Sequence, residues 1–171
     1  MKTAKQWIEQ LKLEPHPEGG YYKQTDYSEE LYAKNGKELP LYTNIYFLLT
    51  PESPSHFHQL VSDEMWFYHT GSPLTVHSLH EDGSYTKTVL GLLEGQVLHH
   101  NVKAGAIFGS TVEEGYALVS CTVVPGFDFA DFKLFTKKEL LKKFPKHQEV
   151  INHLAYENYP VKYNVSKHDS C

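Results

Sequence analysis

Residues 55–68 of the chain have the sequence SHFHQLVSDEMWFY, in which two short runs flank the segment 59–63. Because alternate residues of a strand face the same side, His56 and His58 are predicted to point together. On the second run, the side chains that share a face are those of Glu64, Trp66 and Tyr68. Segment 59–63 is long enough for a turn. A hairpin here is therefore predicted to bring two imidazoles and a carboxylate into one cavity among large aromatic side chains.

The pattern of short apolar and β-branched runs extends outward over residues 21–124. Turn signals separate these runs, at Asn35-Gly36, Pro51-Glu52-Ser53-Pro54, Gly71-Ser72-Pro73, Asp82-Gly83 and Ala104-Gly105. Many short strands with turns at this spacing are typical of an antiparallel sandwich or barrel. The central part of the chain is therefore predicted to be all-β.

Helices are predicted at both ends of the chain. Thr3 and Gln6 have the spacing of a capping box, and the prolines and glycines of residues 15–20 end this first helix. Thr136 and Glu139 have the same spacing, and Pro145 can occupy the first position of a further helix. We expect one domain over residues 1–155, with a short N-terminal helix and two C-terminal helices, followed by a polar tail over residues 156–171.

Composition excludes several classes of function. The chain has 171 residues, which is typical of one domain, and its net charge of −5 disfavours an extended nucleic-acid surface. No stretch resembles a secretory leader or a membrane span, and Cys121 and Cys171 cannot form a disulfide framework. We therefore expect a cytoplasmic protein with no nucleic-acid or membrane partner. Protonation of all 11 histidines would reverse the sign of the net charge.

The imidazoles and the carboxylate of residues 55–68 support two kinds of chemistry. They could bind a borderline divalent metal, or hold a proton for acid–base catalysis. His77, on the next predicted strand, is a candidate fourth polar group, although a surface position explains it equally well. His16, which follows Pro15, is either positioned by a rigid loop or solvated. Cys121 is interpreted as a small buried residue of a strand rather than a nucleophile.

Four segments together resemble a cupin subfamily that has no assigned activity. They are residues 15–22 (PHPEGGYY), residues 45–49 (IYFLL), Phe57-His58 with Ser62-Asp63-Glu64, and residues 125–132 (PGFDFADF). The resemblance extends over roughly residues 5–155. It implies a cupin double-stranded β-helix, which is a small jelly-roll barrel, with a ligand pocket inside. It also implies a homodimer.

The resemblance further implies where a metal would bind, since metal-binding cupins use a His-x-His pair, a Glu a few residues later and a final His. The first three ligands correspond to His56, His58 and Glu64, although five residues separate His58 from Glu64. Phe108 occupies the position of the final histidine, for which His99 and His77 are the alternatives. A divalent metal is thus a possible ligand of this site, and no cofactor is required.

Three functions follow from these residues and the resemblance. The first is a metal-independent epimerase or isomerase that acts on a sugar-like or nucleotide-sugar-like metabolite, with His58 and Glu64 as catalytic residues. The second is a small-molecule-binding module without turnover, and the third is a metal-dependent enzyme. The side chains predicted to contact the ligand are Glu18, Tyr22, His56, Trp66, Tyr68, His77 and Phe108. A tyrosine acid cannot be assigned, because the chain has 12 tyrosines.

Overall fold

The computed structural model describes residues 1–161 and residue 163. The helices are α1 (Ala4–Leu11), α2 (Lys137–Lys143) and α3 (Gln148–Leu154). The early strands are β1 (Glu14–Pro15), β2 (Tyr21–Tyr27), β3 (Leu31–Lys34), β4 (Lys37–Pro40), β5 (Thr43–Leu49) and β6 (Ser55–Gln59). The later strands are β7 (Asp63–Gly71), β8 (Leu74–Leu79), β9 (Tyr85–Leu90), β10 (His99–Val102), β11 (Ile107–Val112), β12 (Ala117–Val124) and β13 (Lys133–Leu134).

The strands form two main sheets and one separate hairpin. The first sheet has the strand order β1-β2-β5-β12-β7-β10, and the second has the order β13-β6-β11-β8-β9. Strands β3 and β4 pair only with each other. All strand pairs within the sheets are antiparallel. The predicted all-β jelly-roll architecture with terminal helices is confirmed.

The predicted hairpin over residues 55–68 is wrong, because β6 and β7 belong to different sheets. β6 pairs with β11 and β13, whereas β7 pairs with β12 and β10. The segment between them crosses from one sheet to the other, and its residues Leu60 and Ser62 are buried. Because Leu60 is apolar, its burial favours a path of the chain through the core over an exposed tight turn. His58 and Glu64 therefore lie on facing sheets.

Strand parity determines which side chains enter the barrel. Phe57 points outward from β6 and joins a cluster beneath α2 and α3, together with Leu140 and Ile151. His56 and His58, on the other face of β6, therefore point inward. Full burial of a side chain such as Phe57 contributes roughly 1.5–3 kcal/mol. This outer cluster fixes the strand, and hence the position of the histidines.

The helices begin where their capping residues predict. Thr3 and Thr136 each form a complete capping box, with Gln6 and Glu139 respectively. Helix α3 begins at Gln148 rather than at Pro145. No helix in the described part of the chain is long and apolar enough to cross a membrane.

The first residues of the predicted polar tail pack against the barrel. The Tyr156 ring stacks on His56 with 3.7 Å between ring centroids, and its hydroxyl donates to the Pro17 carbonyl. Tyr163 is also buried, against Phe132. Residues 162 and 164–171, including Cys171, lie outside the described residues. Tyr156 and Tyr163 of the predicted tail thus form part of the barrel wall.

Candidate active site in the barrel

A cavity of about 470 Å³ lies between the two sheets. Its wall contains four carboxyl groups, from Glu18, Glu38, Glu64 and Asp128. Two imidazoles, from His16 and His58, and the thiol of Cys121 also line it. The apolar part of the wall comes from Leu39, Pro40, Ile45, Leu60, Val123, Phe127 and Phe129. Titratable groups are thus concentrated around one recess of the barrel.

The loop between β1 and β2 carries Glu18 into this cavity. Gly19 donates its backbone N–H to the His16 carbonyl, and Gly20 donates to the Ser53 hydroxyl. Gly19 has a φ of +104°, and a Cβ there would lie 1.8 Å from the Pro54 carbonyl oxygen. Only glycine allows such a close approach at such a φ. The tight loop therefore places the buried Glu18 side chain against β6.

The Glu18 carboxyl lies at the centre of a small polar network. Ser55 donates its hydroxyl to Glu18 Oε1 over 2.7 Å. Glu18 Oε2 lies 3.3 Å from His58 Nε2 and 3.6 Å from His16 Nδ1. One carboxyl oxygen therefore faces two imidazole nitrogens.

The other bonds of the two rings show which nitrogens carry hydrogen. His58 Nδ1 lies 2.8 Å from the His56 carbonyl, to which it donates, so a neutral His58 has its lone pair on Nε2. His16 Nδ1 accepts the backbone N–H of Glu18, so its lone pair is also on the nitrogen near the carboxyl. The His58 lone pair faces Glu18 Oε2 and would repel an ionised carboxylate, whereas the His16 lone pair is directed at the Glu18 backbone N–H. A proton on Glu18 removes that repulsion.

Burial determines the protonation of these groups. Burial, together with the charge of Glu64, raises the pKa of Glu18 well above its ordinary value. Burial lowers the pKa of His58 to about 4, and burial with the nearby His58 lowers the pKa of His16 to about 3. At neutral pH the two imidazoles are therefore uncharged, and Glu18 holds its proton more tightly than an exposed glutamate does.

Glu64 provides a second, different carboxyl group. Burial raises the pKa of Glu64 to about 7, against the opposing effects of the Trp66 indole and the Cys121 thiol. Among the described residues, neither Glu64 Oε2 nor Trp66 Nε1 has a hydrogen-bond partner of standard geometry. Glu64 thus has an unpaired buried oxygen and a pKa near neutrality. Burial raises the pKa values of both carboxyls, Glu18 and Glu64, as it does for catalytic carboxyls in many enzymes.

Four of the residues selected from the sequence lie on the cavity wall: Glu18, Tyr22, His58 and Glu64. The Tyr22 ring meets His16 edge-on, with 4.7 Å between ring centroids. His58 interacts with Glu18 rather than with Glu64, which was its expected partner. The reason is the crossing of the chain between the sheets, which separates His58 from Glu64.

Three other predicted contact residues do not line the cavity. The His56 ring is stacked on Tyr156, and its Nδ1 donates to the Glu18 carbonyl. Trp66 is fully buried in the core, so it offers no stacking surface to a ligand. Tyr68 is half-buried, and its hydroxyl donates to the Gly71 carbonyl. His56, Trp66 and Tyr68 therefore do not line this cavity, and their contact with a ligand stays a prediction.

Phe108 and His77 also lie outside the cavity. Phe108 is buried behind His58, with 4.2 Å between the ring centroids. His77 points to the outer face of the second sheet, because Leu74 and Val76 direct their side chains into the core and His77 has the opposite parity. His77 thus lies on the outer face of the barrel, which is the alternative that the sequence left open.

The residues present do not fit the metal site that the resemblance implies. Within the described residues, no group of three or more His, Cys, Asp or Glu side chains could hold a metal ion. His56 is covered by Tyr156, and the ring of Phe108 packs on His58 where a further imidazole was expected. The set of His56, His58 and Glu64 predicted as metal ligands is therefore not assembled.

The sequence-based prediction missed His16 and gave Cys121 no role in the site. His16 is one of the most buried polar groups of the cavity, with 6% of its side chain exposed. Its signal was the PHPEGG segment, in which two prolines and two glycines define a rigid loop with His16 and Glu18 two residues apart. Cys121 was correctly predicted to be buried on a strand, and its thiol faces Glu64.

Comparisons with known proteins place this site in a family. A family model described as "Cupin superfamily (DUF985)" matches residues 5–135. The uncharacterized protein YML079W of Saccharomyces cerevisiae is 29% identical over 165 residues, which cover 82% of this chain and 79% of the yeast protein.

Solved structures of similar proteins share the whole fold. A hypothetical protein from Leishmania major is 44% identical, with a TM-score of 0.86 over 91% of this chain and 100% of that chain. Protein SO0799 from Shewanella oneidensis is 39% identical, with a TM-score of 0.87 over 92% of this chain and 100% of that chain. A mutant of the Bacillus subtilis oxalate decarboxylase OxdC shares the fold alone, at 15% identity and a TM-score of 0.54 over 86% of this chain and 38% of that chain. The chain has the jelly-roll sheets of a cupin, and the family model matches most of its length. It therefore belongs to the family DUF985 of the cupin superfamily.

Proposed function

We propose that this protein catalyses a proton transfer on a small, uncharged, sugar-like molecule, as an isomerase or epimerase does. The observation that carries the proposal is the pair of buried carboxyls, Glu18 and Glu64, whose pKa values are both raised by burial on the wall of one cavity. Burial of a carboxyl costs free energy, and active sites commonly contain such groups. The roles of the two carboxyls follow from their surroundings.

Glu64 is the proposed general base. Its pKa of about 7 makes it about half ionised at neutral pH, and among the described residues its Oε2 accepts no hydrogen bond of standard geometry. A base is most effective when its pKa lies near the working pH. Glu64 would take a proton from the carbon next to a substrate carbonyl.

Glu18 is the proposed general acid. Its raised pKa favours the protonated form, and it would give that proton to the carbonyl oxygen as the enediol forms and recover it in the reverse step. His58 Nε2, 3.3 Å from Glu18 Oε2, is the imidazole nitrogen that can accept this proton, since the Nδ1 lone pair of His16 already accepts the Glu18 backbone N–H. His58 is thus proposed to position the acid rather than to act as the base.

The lining supports an uncharged substrate. The volume of about 470 Å³ lies within the roughly 300–1,000 Å³ of small-molecule sites. Among the described residues, the lining contains four carboxyl groups and no Lys or Arg. Lys37 lies at the rim, where its ammonium is bound by Asp128 and Asp131. A diphosphate would meet negative charge, so a sugar is favoured over a nucleotide sugar.

Hydrogen exchange with solvent tests the proposal. The protein is incubated in D2O with a panel of uncharged aldoses and ketoses, and the loss of the signal from hydrogen next to the carbonyl is followed by NMR. Wild type is expected to catalyse exchange on at least one sugar. Glu64→Gln, which keeps the shape and removes the base, is expected to reduce the rate by about 10²–10⁴-fold.

The control is Lys138→Gln, on the exposed face of α2, which is expected to exchange at the wild-type rate. A sugar that raises the melting temperature without exchange would indicate a binding module instead. Equal exchange by wild type and Glu64→Gln would contradict the assignment of the base.

A further inference from the structure

A second recess, of about 390 Å³, lies on the outer face of the second sheet beside α3. We call it the α3 groove. Its cationic and imidazole side chains are those of Lys87, Lys146, His77, His147 and His153. Glu149 is the single carboxylate of its described lining. No residue lines both this groove and the barrel cavity, so the two can be tested separately.

The floor of the α3 groove is held by defined bonds. The two nitrogens of the His77 ring lie 2.7 Å from the Tyr85 hydroxyl and 2.9 Å from the Thr111 hydroxyl. The His77 and Tyr85 rings are nearly parallel, with an angle of 7°. His147 Nε2 donates to the Gly83 carbonyl over 2.9 Å, which fixes the ring at the end of the groove. A ligand would therefore meet a preformed surface.

The two lysines of the α3 groove form no salt bridge with the described residues. The lysine salt bridges in the described part of the chain lie elsewhere, so Lys87 and Lys146 have no carboxylate partner there. Burial, followed by the charges of His153 and Lys87, lowers the pKa of His77 to about 4. The floor is thus an uncharged hydrogen-bonding surface beneath a rim of cations.

We propose that the α3 groove binds the phosphoryl group of a small molecule. Two ammonium groups and the flanking imidazoles suit a compact dianion with several acceptor oxygens. Tyr85 and Val150 provide an apolar side for an organic substituent. The net charge of −5 disfavours a long polyanion such as nucleic acid, so the fitting ligand is a free phosphate or a phosphomonoester.

Titration with inorganic phosphate and with phenyl phosphate tests this site. Binding is followed by calorimetry and by the NMR signals of the histidine rings, at an ionic strength kept constant with chloride. Both probes are expected to bind with a Kd below about 10 mM and to shift the signals of His147 and His153. Tighter binding of phenyl phosphate indicates a phosphomonoester, whereas equal affinities indicate free phosphate; either result supports a phosphoryl site.

Three variants assign the binding to the groove. Lys87→Gln with Lys146→Gln is expected to weaken binding by roughly tenfold or more, because two charged donors are lost. Glu149→Gln is expected to tighten binding, by about two- to threefold, since a repelling charge is removed. Lys138→Gln, on the exposed face of α2, is expected to leave the affinity unchanged.

Two results would overturn the proposal. One is the absence of binding of both probes below about 10 mM in the folded wild-type protein. The other is binding that Lys87→Gln with Lys146→Gln leaves unchanged, since the phosphoryl group would then lie elsewhere. All substituted side chains are exposed, so a change in melting temperature is not expected to obscure the result.

Discussion

The barrel cavity and the α3 groove are similar in volume, at about 470 and 390 Å³, and both contain histidines. Their charges are opposite. The cavity surrounds its imidazoles with carboxyl groups, whereas the groove surrounds them with lysines and further histidines. The chemistry available to a histidine therefore depends on the residues that surround it.

His58 and His77 illustrate the difference. The pKa of each is lowered to about 4, with burial as the largest cause. At His77 the next causes are the charges of His153 and Lys87, which lower the pKa further. At His58 the hydrogen bond to the His56 carbonyl opposes the lowering, and the His56 ring adds to it. A lowered histidine pKa thus occurs beside buried carboxyl groups in the barrel cavity and beside lysines in the α3 groove.

The strongest way to break this comparison is to displace the loop that carries Glu18. Gly19→Ala would place a Cβ 1.8 Å from the Pro54 carbonyl oxygen at a φ of +104°. We expect a loss of about 3 kcal/mol or more in the free energy of unfolding, measured by urea denaturation. The control is Gly36→Ala, which also has positive φ but no atom within 4 Å of the added Cβ. It is expected to cost only about 1 kcal/mol, and an equal cost for both variants would contradict the described packing of the loop.

A second prediction sharpens the comparison through the pH dependence of stability. Glu64 in the unfolded chain ionises near pH 4.5, but in the folded protein it holds its proton to about pH 7. The folded state therefore loses stability as pH rises between these values, by on the order of 3 kcal/mol. Glu64→Gln removes this loss. The free energy of unfolding of the variant minus that of wild type should therefore be larger at pH 8 than at pH 4.5.

Chemical denaturation at the two pH values measures that gain. Lys87→Gln with Lys146→Gln, in the α3 groove, is the matched control and is expected to leave the pH dependence of wild type within about 0.5 kcal/mol. A Glu64→Gln variant whose stability relative to wild type is the same at both pH values would show that Glu64 ionises normally.

The fold was predictable from the sequence, because alternation, turn signals and the resemblance agreed over residues 21–124. The outward orientation of His77 was also predictable, because Leu74 and Val76 are apolar and His77 lies on the opposite face of the strand. The pairing of His58 with Glu18 was not, because it depends on residues 59–63 crossing between sheets. The burial of His16 depends on a loop, which has no periodicity. The homodimer and the cytoplasmic location stay predictions.

The central claim is that burial in the barrel cavity raises the pKa values of two carboxyl groups, Glu18 and Glu64. An NMR titration of the protein labelled with ¹³C at the glutamate carboxyl carbons tests it directly, with Glu18→Gln and Glu64→Gln assigning the two signals. Glu64 is expected to titrate at about pH 7, and Glu18 well above the pH at which an exposed glutamate titrates. Titration of both signals near pH 4.5, like exposed glutamates, would contradict it.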